Sequence, residues 1–195
     1  MRKHTEILFC FLFSWFGFVN TDYLLPVRFP CKAERSKVKP KNVNLVRPSD
    51  IDIIGALGDS DTAAFAARSN SLLDYMNEYP GVSYATGVDA NFAANPTFAN
   101  ILRQFNPRLI GGSGESDGIL PGFDLGLNVA VSGAFSSAIP EQARVLVDKI
   151  VDIPGWEWKW KIVTVYIGSN DICSGSCQGI FTGKQLHIFR KNYIF

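Results

Sequence analysis

Residues 51–67, Ile-Asp-Ile-Ile-Gly-Ala-Leu-Gly-Asp-Ser-Asp-Thr-Ala-Ala-Phe-Ala-Ala, constrain the fold of this chain more than any other stretch. Ile51, Ile53, Ile54 and Leu57 make a short apolar run rich in β-branched residues, the pattern of a buried strand, and Gly58 and Asp59 break it. From Thr62 the alanines, then Leu72, Leu73, Tyr75 and Met76, predict a helix over residues 62–79 that Pro80-Gly81 stops. Ser60 therefore falls where a strand ends and a helix begins. There an exposed hydroxyl can meet backbone N–H groups aimed at developing negative charge. A serine in that place equally reads as a helix cap, and the stretch alone leaves both open.

Gly58-Asp59-Ser60 after an apolar strand resembles the first block of the GDSL (SGNH) hydrolases. The wider run 56–60 with Thr62-Ala63 is similar to the phospholipase B branch of that family. Two departures stand out: Asp61 takes the fourth letter of GDSL, and Ala64 and Ala66 replace glycines common just downstream. The motif is not the Gly-x-Ser-x-Gly elbow of α/β-hydrolases, because position 62 is threonine.

Two later stretches extend the likeness. Leu127-Asn128-Val129-Ala130-Val131-Ser132-Gly133-Ala134 resembles the second block, a short strand ending at a glycine, and Gly133 matches that glycine. A glycine suits a place where backbone must approach a substrate closely. Taken by itself Gly133 is an ordinary turn glycine. Residues 161–168 read as a further strand, nearly continuous in Ile162, Val163, Val165, Tyr166 and Ile167. It contains neither charge nor proline after Lys161, so left at an edge it would invite pairing with another copy. It runs into Gly168-Ser169-Asn170-Asp171, which resembles the third block, Gly-x-Asn-Asp. The likeness covers roughly residues 29–177. Three blocks in order, each at an expected strand end, make a strong joint signal.

Between the blocks, residues 82–86 suggest a second strand and residues 98–105 a helical turn or two. Residues 111–122 are glycine-rich but lack the flanking strand and helix of a phosphate loop, so they read as a flexible surface loop. Ile139-Pro140-Glu141 opens a helix with proline in its favoured first turn. Ala143, Leu146, Val147 and Ile150 then fall at helical spacing and should face the sheet. Trp156, Trp158 and Trp160 alternate, as in an extended segment with its indoles packed on one side.

Around this core, the first 20 residues read as a signal peptide, Arg2 and Lys3 preceding an apolar stretch at residues 7–19. A retained signal anchor is the other reading. The chain is thus expected to be secreted or to sit at an extracellular membrane surface. Residues 21–49 form a leader with Pro26, Pro30, Pro40 and Pro48, residues 50–177 the hydrolase-like domain, and residues 178–195 a divergent tail. With 195 residues, 47% of them hydrophobic, the chain can bury one core. Its net charge of +1 and lack of a lasting basic tract speak against nucleic acid. Cys173 and Cys177 are close enough in sequence to close a small loop, leaving Cys31 unpaired or with its partner outside this chain. No histidine stands where a metal cluster would need one, and no metal or cofactor is expected.

The resemblance implies a flavodoxin-like three-layer α/β sandwich with a parallel sheet, its site at the carboxyl ends of the strands. It implies acyl transfer: Ser60 as nucleophile, with Gly133 and Asn170 in the oxyanion hole, acting on phospholipids or lysophospholipids at a lipid–water interface. The family's Asp-x-x-His block is not found. His187 has Lys184 three residues before it, so it reads as a tail histidine, and the carboxyl-terminal part of the domain is read as missing. Two functions follow: a secreted phospholipase B-type esterase in truncated form, inactive by itself, or an inactive secreted lipid-binding or decoy protein.

Overall fold

A computed structural model of the chain describes residues 29–31, 34–114 and 126–177. The expected signal peptide, residues 115–122 of the glycine-rich stretch, and the tail with His187 lie outside them. In chain order the principal elements are β1 (Ile51–Gly58), α1 (Ser60–Ala63), α2 (Phe98–Phe105), α3 (Ile139–Val151), β2 (Trp160–Tyr166) and α4 (Ser169–Cys177).

β1 is buried without interruption from Ile53 to Gly58, as a strand covered on both faces must be. Alternate side chains go to opposite faces. Ile53 and Leu57 pack with Leu127, Val129, Leu146 and Ile150, so α3 covers that side. Ile54 packs with Ala99 and Leu102, so α2 covers the other. This is the three-layer α/β arrangement that the family resemblance implies. β2 lies parallel to β1, with Ile54 opposite Ile162 and Gly58 opposite Tyr166. Along the other edge of β1, the Ile54 amide donates to Ile110 O, Ala56 to Leu127 O, and Val129 to Ala56 O. β1 is therefore the central strand. β2 is the outer one among the described residues, with Val163 and Val165 40% and 46% exposed.

Several expected elements take another form. The helix over residues 62–79 is only the four residues of α1, because Ala64 turns left-handed at φ 57° and its amide folds back onto the Asp61 and Ser60 carbonyls. Ala66 is left-handed too, again at φ 57°. The chain then doubles back, Phe65 bridging Glu78 antiparallel. Residues 82–86 are not a strand. A 3-10 turn at Pro80–Val82 leads into loops tied by side chains, the Ser83 hydroxyl donating to Thr62 O at 2.7 Å. Gly111 and Ser113 are not a surface loop either: Ser113 is fully buried and its amide donates to Thr86 O. Trp156–Trp158 is a 3-10 turn launched by Gly155 at φ 71°, and only Trp160 is extended. On α3, Leu146 and Ile150 are buried as expected, but Val147 is 55% exposed while Gln142 is buried. Cys173 is a free, exposed thiol on α4.

The leader is fastened to the start of β1. Arg35 pairs with Asp52 at 2.7 Å, and Asp50 accepts from the Ser36 amide and hydroxyl and the Arg47 amide. Burial pushes the Asp50 carboxyl up, but those hydrogen bonds and the Arg35 charge outweigh it and hold it below its ordinary value. Phe29 meets the rings of Phe92 and Phe105 edge-on at 5.1 and 5.0 Å.

An alanine at φ 57° carries a Cβ clash that glycine lacks. Ala64→Gly and Ala66→Gly should each raise stability by about 0.5–1 kcal/mol, after the greater unfolded-chain entropy of glycine is subtracted. Urea unfolding should show a higher midpoint at unchanged slope. A lower midpoint would mean that packing of the two methyl groups outweighs the strain.

Candidate active site

The site is assembled at the carboxyl end of β1. Gly58 is the last strand residue, and its backbone is bonded on both sides by one side chain. Its N–H donates to Gln142 Oε1 at 2.8 Å, and Gln142 Nε2 donates back to its carbonyl at 2.8 Å. The Val131 amide also donates to the Gly58 carbonyl, at 3.2 Å. A Cβ at Gly58 would collide with the Thr62 side chain and the Tyr166 carbonyl, so glycine is needed here for close approach.

Asp59 caps α1, its carboxylate accepting from the Asp61 amide at 3.2 Å. It is fully buried, and its Oδ2 has no hydrogen-bond partner. Burial pushes this carboxyl up, and the nearby Asp61 and Asp171 charges push the same way. Ser60 follows as the first residue of α1, partly exposed. No hydrogen bond engages its hydroxyl among the described residues. The helix behind it is fixed: Thr62 O accepts from the Ser83 hydroxyl and from Asn128 Nδ2 at 2.9 Å, and Thr62 Oγ1 lies 3.3 Å from the Tyr84 hydroxyl.

Gly133 lies in a four-residue turn closed by the Ala134 amide on Val131 O at 3.0 Å. Its φ of +79° at the third position is the type II pattern that favours glycine. A Cβ there would meet nothing within 4 Å, so it is the backbone angle that asks for glycine at this site. The turn is tied from one side by Glu78, which accepts from the Ser132 hydroxyl at 2.6 Å. The start of α4 ties it from the other. Asn170 Nδ2 donates to Ala134 O at 2.9 Å, and Asp171 accepts from both the amide and the hydroxyl of Ser136 at 2.8 and 2.7 Å. One N–H of the Asn170 amide is thus spent on the turn that carries Gly133, and the other is left.

All three sequence-derived residues therefore converge. Ser60 lies two residues beyond Gly58, Gly133 two beyond Val131, and Asn170 four beyond Tyr166, and both Val131 and Tyr166 pair with Gly58. Val131, Phe135, Tyr166 and Ile172 nearby are large, apolar and roughly half exposed. Sequence reasoning missed Gln142, although a signal was there. Gln142, Leu146 and Ile150 are spaced four apart, so a glutamine occupies the apolar stripe of α3.

The comparisons give the family. The family profile described as GDSL-like Lipase/Acylhydrolase matches residues 54–194, and the chain belongs to that family. Within it, the chain is similar to "Phospholipase B1, membrane-associated" of Homo sapiens, with 37% identity over 167 residues, 79% of this chain. The proteins of the same name from Rattus norvegicus and Mus musculus are 41% and 43% identical over 72% and 71% of the chain. The chain spans about a tenth of the length of these relatives, 11% of the human and 10% of the rodent proteins. No solved structure matches at a significant level.

The buried Asp59 carries a pH signature. A carboxyl raised on folding favours the folded state while protonated, so its contribution is lost as pH climbs from the ordinary value of 3.8 through the folded one. Asp59→Asn keeps a good helix cap without the charge. The stability of the variant relative to wild type should therefore grow as pH rises through that window. Asp50, depressed on folding, gives the opposite slope in both proteins and cancels in the difference. Urea unfolding across acidic and neutral pH measures it; a flat difference would show that the Asp59 charge is not buried at a cost.

Proposed function

We propose that this chain carries the nucleophile and the oxyanion donors of a carboxylic-ester hydrolase acting on phospholipids or lysophospholipids. The observation that carries the reading is the convergence at Gly58: one buried strand end aligns the serine turn, the glycine turn and the asparagine helix. The family supports ester hydrolysis, and the printed name of the relatives supports a phospholipid ester as substrate.

In this mechanism Ser60 Oγ attacks the acyl carbonyl, and the carbonyl oxygen takes up the negative charge. The amides of Ser60 and Gly133 and the unspent N–H of Asn170 bind that oxygen. Such donors act on the transition state because they are already in place when the charge forms. The Asn170–Ala134 bond orients the amide, so no reorganisation is required at the moment of reaction. The serine proton must pass to a base and then to the leaving alcohol. No histidine lies among the described residues, so the proposal names the nucleophile and oxyanion donors alone. Arg2 and Lys3 before an apolar stretch support an extracellular destination.

A fluorophosphonate probe tests the assignment in the natural gene product. Ser60→Ala should abolish labelling; persistent labelling would place the nucleophile elsewhere. In the same protein Asn170→Ala should lower kcat on a soluble ester by on the order of a hundred- to a thousandfold, with KM little changed. A change confined to KM would contradict the oxyanion role.

A further inference from the structure

The chain between α1 and Glu78 carries large apolar residues that nothing among the described residues covers. Leu72 and Leu73 are 93% and 95% exposed, Met76 74% and Tyr75 54%. Isolated exposed leucines are ordinary, but four large apolar side chains within five residues form a patch. The loop that bears them is well tied. Asp74 accepts from the Asn70 and Ser71 amides and the Ser71 hydroxyl, the Ser69 hydroxyl donates to Asp74 O, and the Leu73 amide donates to Ser71 Oγ. Tyr75 stacks edge-on against Phe65 at 5.7 Å. The Asn70, Ser71 and Leu73 amides are thus satisfied inside the loop, which lowers the cost of moving it out of water.

Both ends of the loop are fastened to the candidate site. Ala66 N–H donates to Asn77 O and Tyr79 N–H to Ala64 O, directly after the Ser60 turn. Glu78 holds Ser132, the neighbour of Gly133. The apolar tip therefore stands on the rim of the pair of turns that carry Ser60 and Gly133. Charge narrows the partner. From Ser69 to Tyr79 the ionisable side chains of acid or base type are Asp74 and Glu78, with no lysine or arginine, and Arg68 is paired with Asp89 at 3.0 Å. An anionic surface has nothing here to attract it.

We propose that Leu72, Leu73 and Met76 form a docking loop that inserts into a zwitterionic phospholipid surface and brings the Ser60 turn to the lipid–water interface. The inference rests on the phospholipid-esterase reading above and adds the element that would meet the lipid.

The test is flotation of the full chain with phosphatidylcholine vesicles, wild type against Leu72→Ser/Leu73→Ser. Both side chains are outside the core, so circular dichroism and thermal melting should be unchanged. Wild type should float, and the double variant should lose roughly tenfold or more in partitioning. Added phosphatidylserine should not strengthen binding, and a tryptophan at position 73 (Leu73→Trp) should shift its emission to the blue with vesicles. Equal flotation of variant and wild type, or wild type that stays in the aqueous fraction, would overturn the proposal. So would a dimer in lipid-free sedimentation that the double variant abolishes, since the patch would then be a protein contact. Fluorophosphonate labelling of the natural gene product separates the two readings. If its Ser60 labels but the chain does not float, docking alone fails; if the chain floats through Leu72 and Leu73 while Ser60 of that product does not label, the esterase alone fails.

Discussion

The exchange of two hydrogen bonds between Gly58 and Gln142 is the constraint on which the rest of the structure depends. At Gly58 the chain leaves the sheet: its carbonyl keeps one bond from the Val131 amide, while its N–H donates to Gln142 Oε1 instead of a backbone carbonyl. Both groups are buried, and a buried backbone pair without partners is costly. A primary amide offers one acceptor and one donor side by side, which matches a peptide group, and Gln142 supplies it from α3. The absence of a side chain at Gly58 lets Thr62 and the Tyr166 carbonyl close in from two sides. Strand end, covering helix and neighbouring strand are thereby locked to one backbone position.

From that position the three turns of the candidate site inherit their places. α1 is held from behind by Ser83 and Asn128, and the Gly133 turn is held by Glu78 and Asn170. Asp171 fastens α4 to Ser136. Against this frame stand features that cost stability: Ala64 in a left-handed conformation and Asp59 buried with an unpartnered oxygen. Both flank Ser60. Strain and poorly satisfied groups gather at functional sites because the surrounding structure over-determines them.

The sequence made the central strand, β2, α2 and α3 legible, because burial on both faces and helical spacing leave a plain apolar pattern. It also set Ser60 and Asn170 just beyond strand ends, whereas the strand expected before Gly133 is only an isolated bridge of Asn128 to Ala56. What it concealed was decided by bonds between side chains and distant backbone. The alanines and leucines of residues 62–79 have helical propensity, yet the turn at Ala64 and the Phe65–Glu78 bridge override it. Leu72 and Leu73 read as part of that helix and instead stand exposed on a loop. Residues 82–86 carry strand-formers, but their polar groups serve α1 and Ser113 instead of a ladder. The role of Gln142 is visible only once β1 lies beneath it.

The claim that one strand end brings Ser60, Gly133 and Asn170 around a single oxygen is tested most directly by a crystal structure of the natural gene product carrying a phosphonate adduct. The account predicts phosphorus bonded to Ser60 Oγ, with one phosphonyl oxygen about 2.7–3.1 Å from the Ser60 amide, the Gly133 amide and Asn170 Nδ2. An adduct on Ser60 whose oxygens all face solvent, or an adduct on another residue, would contradict it.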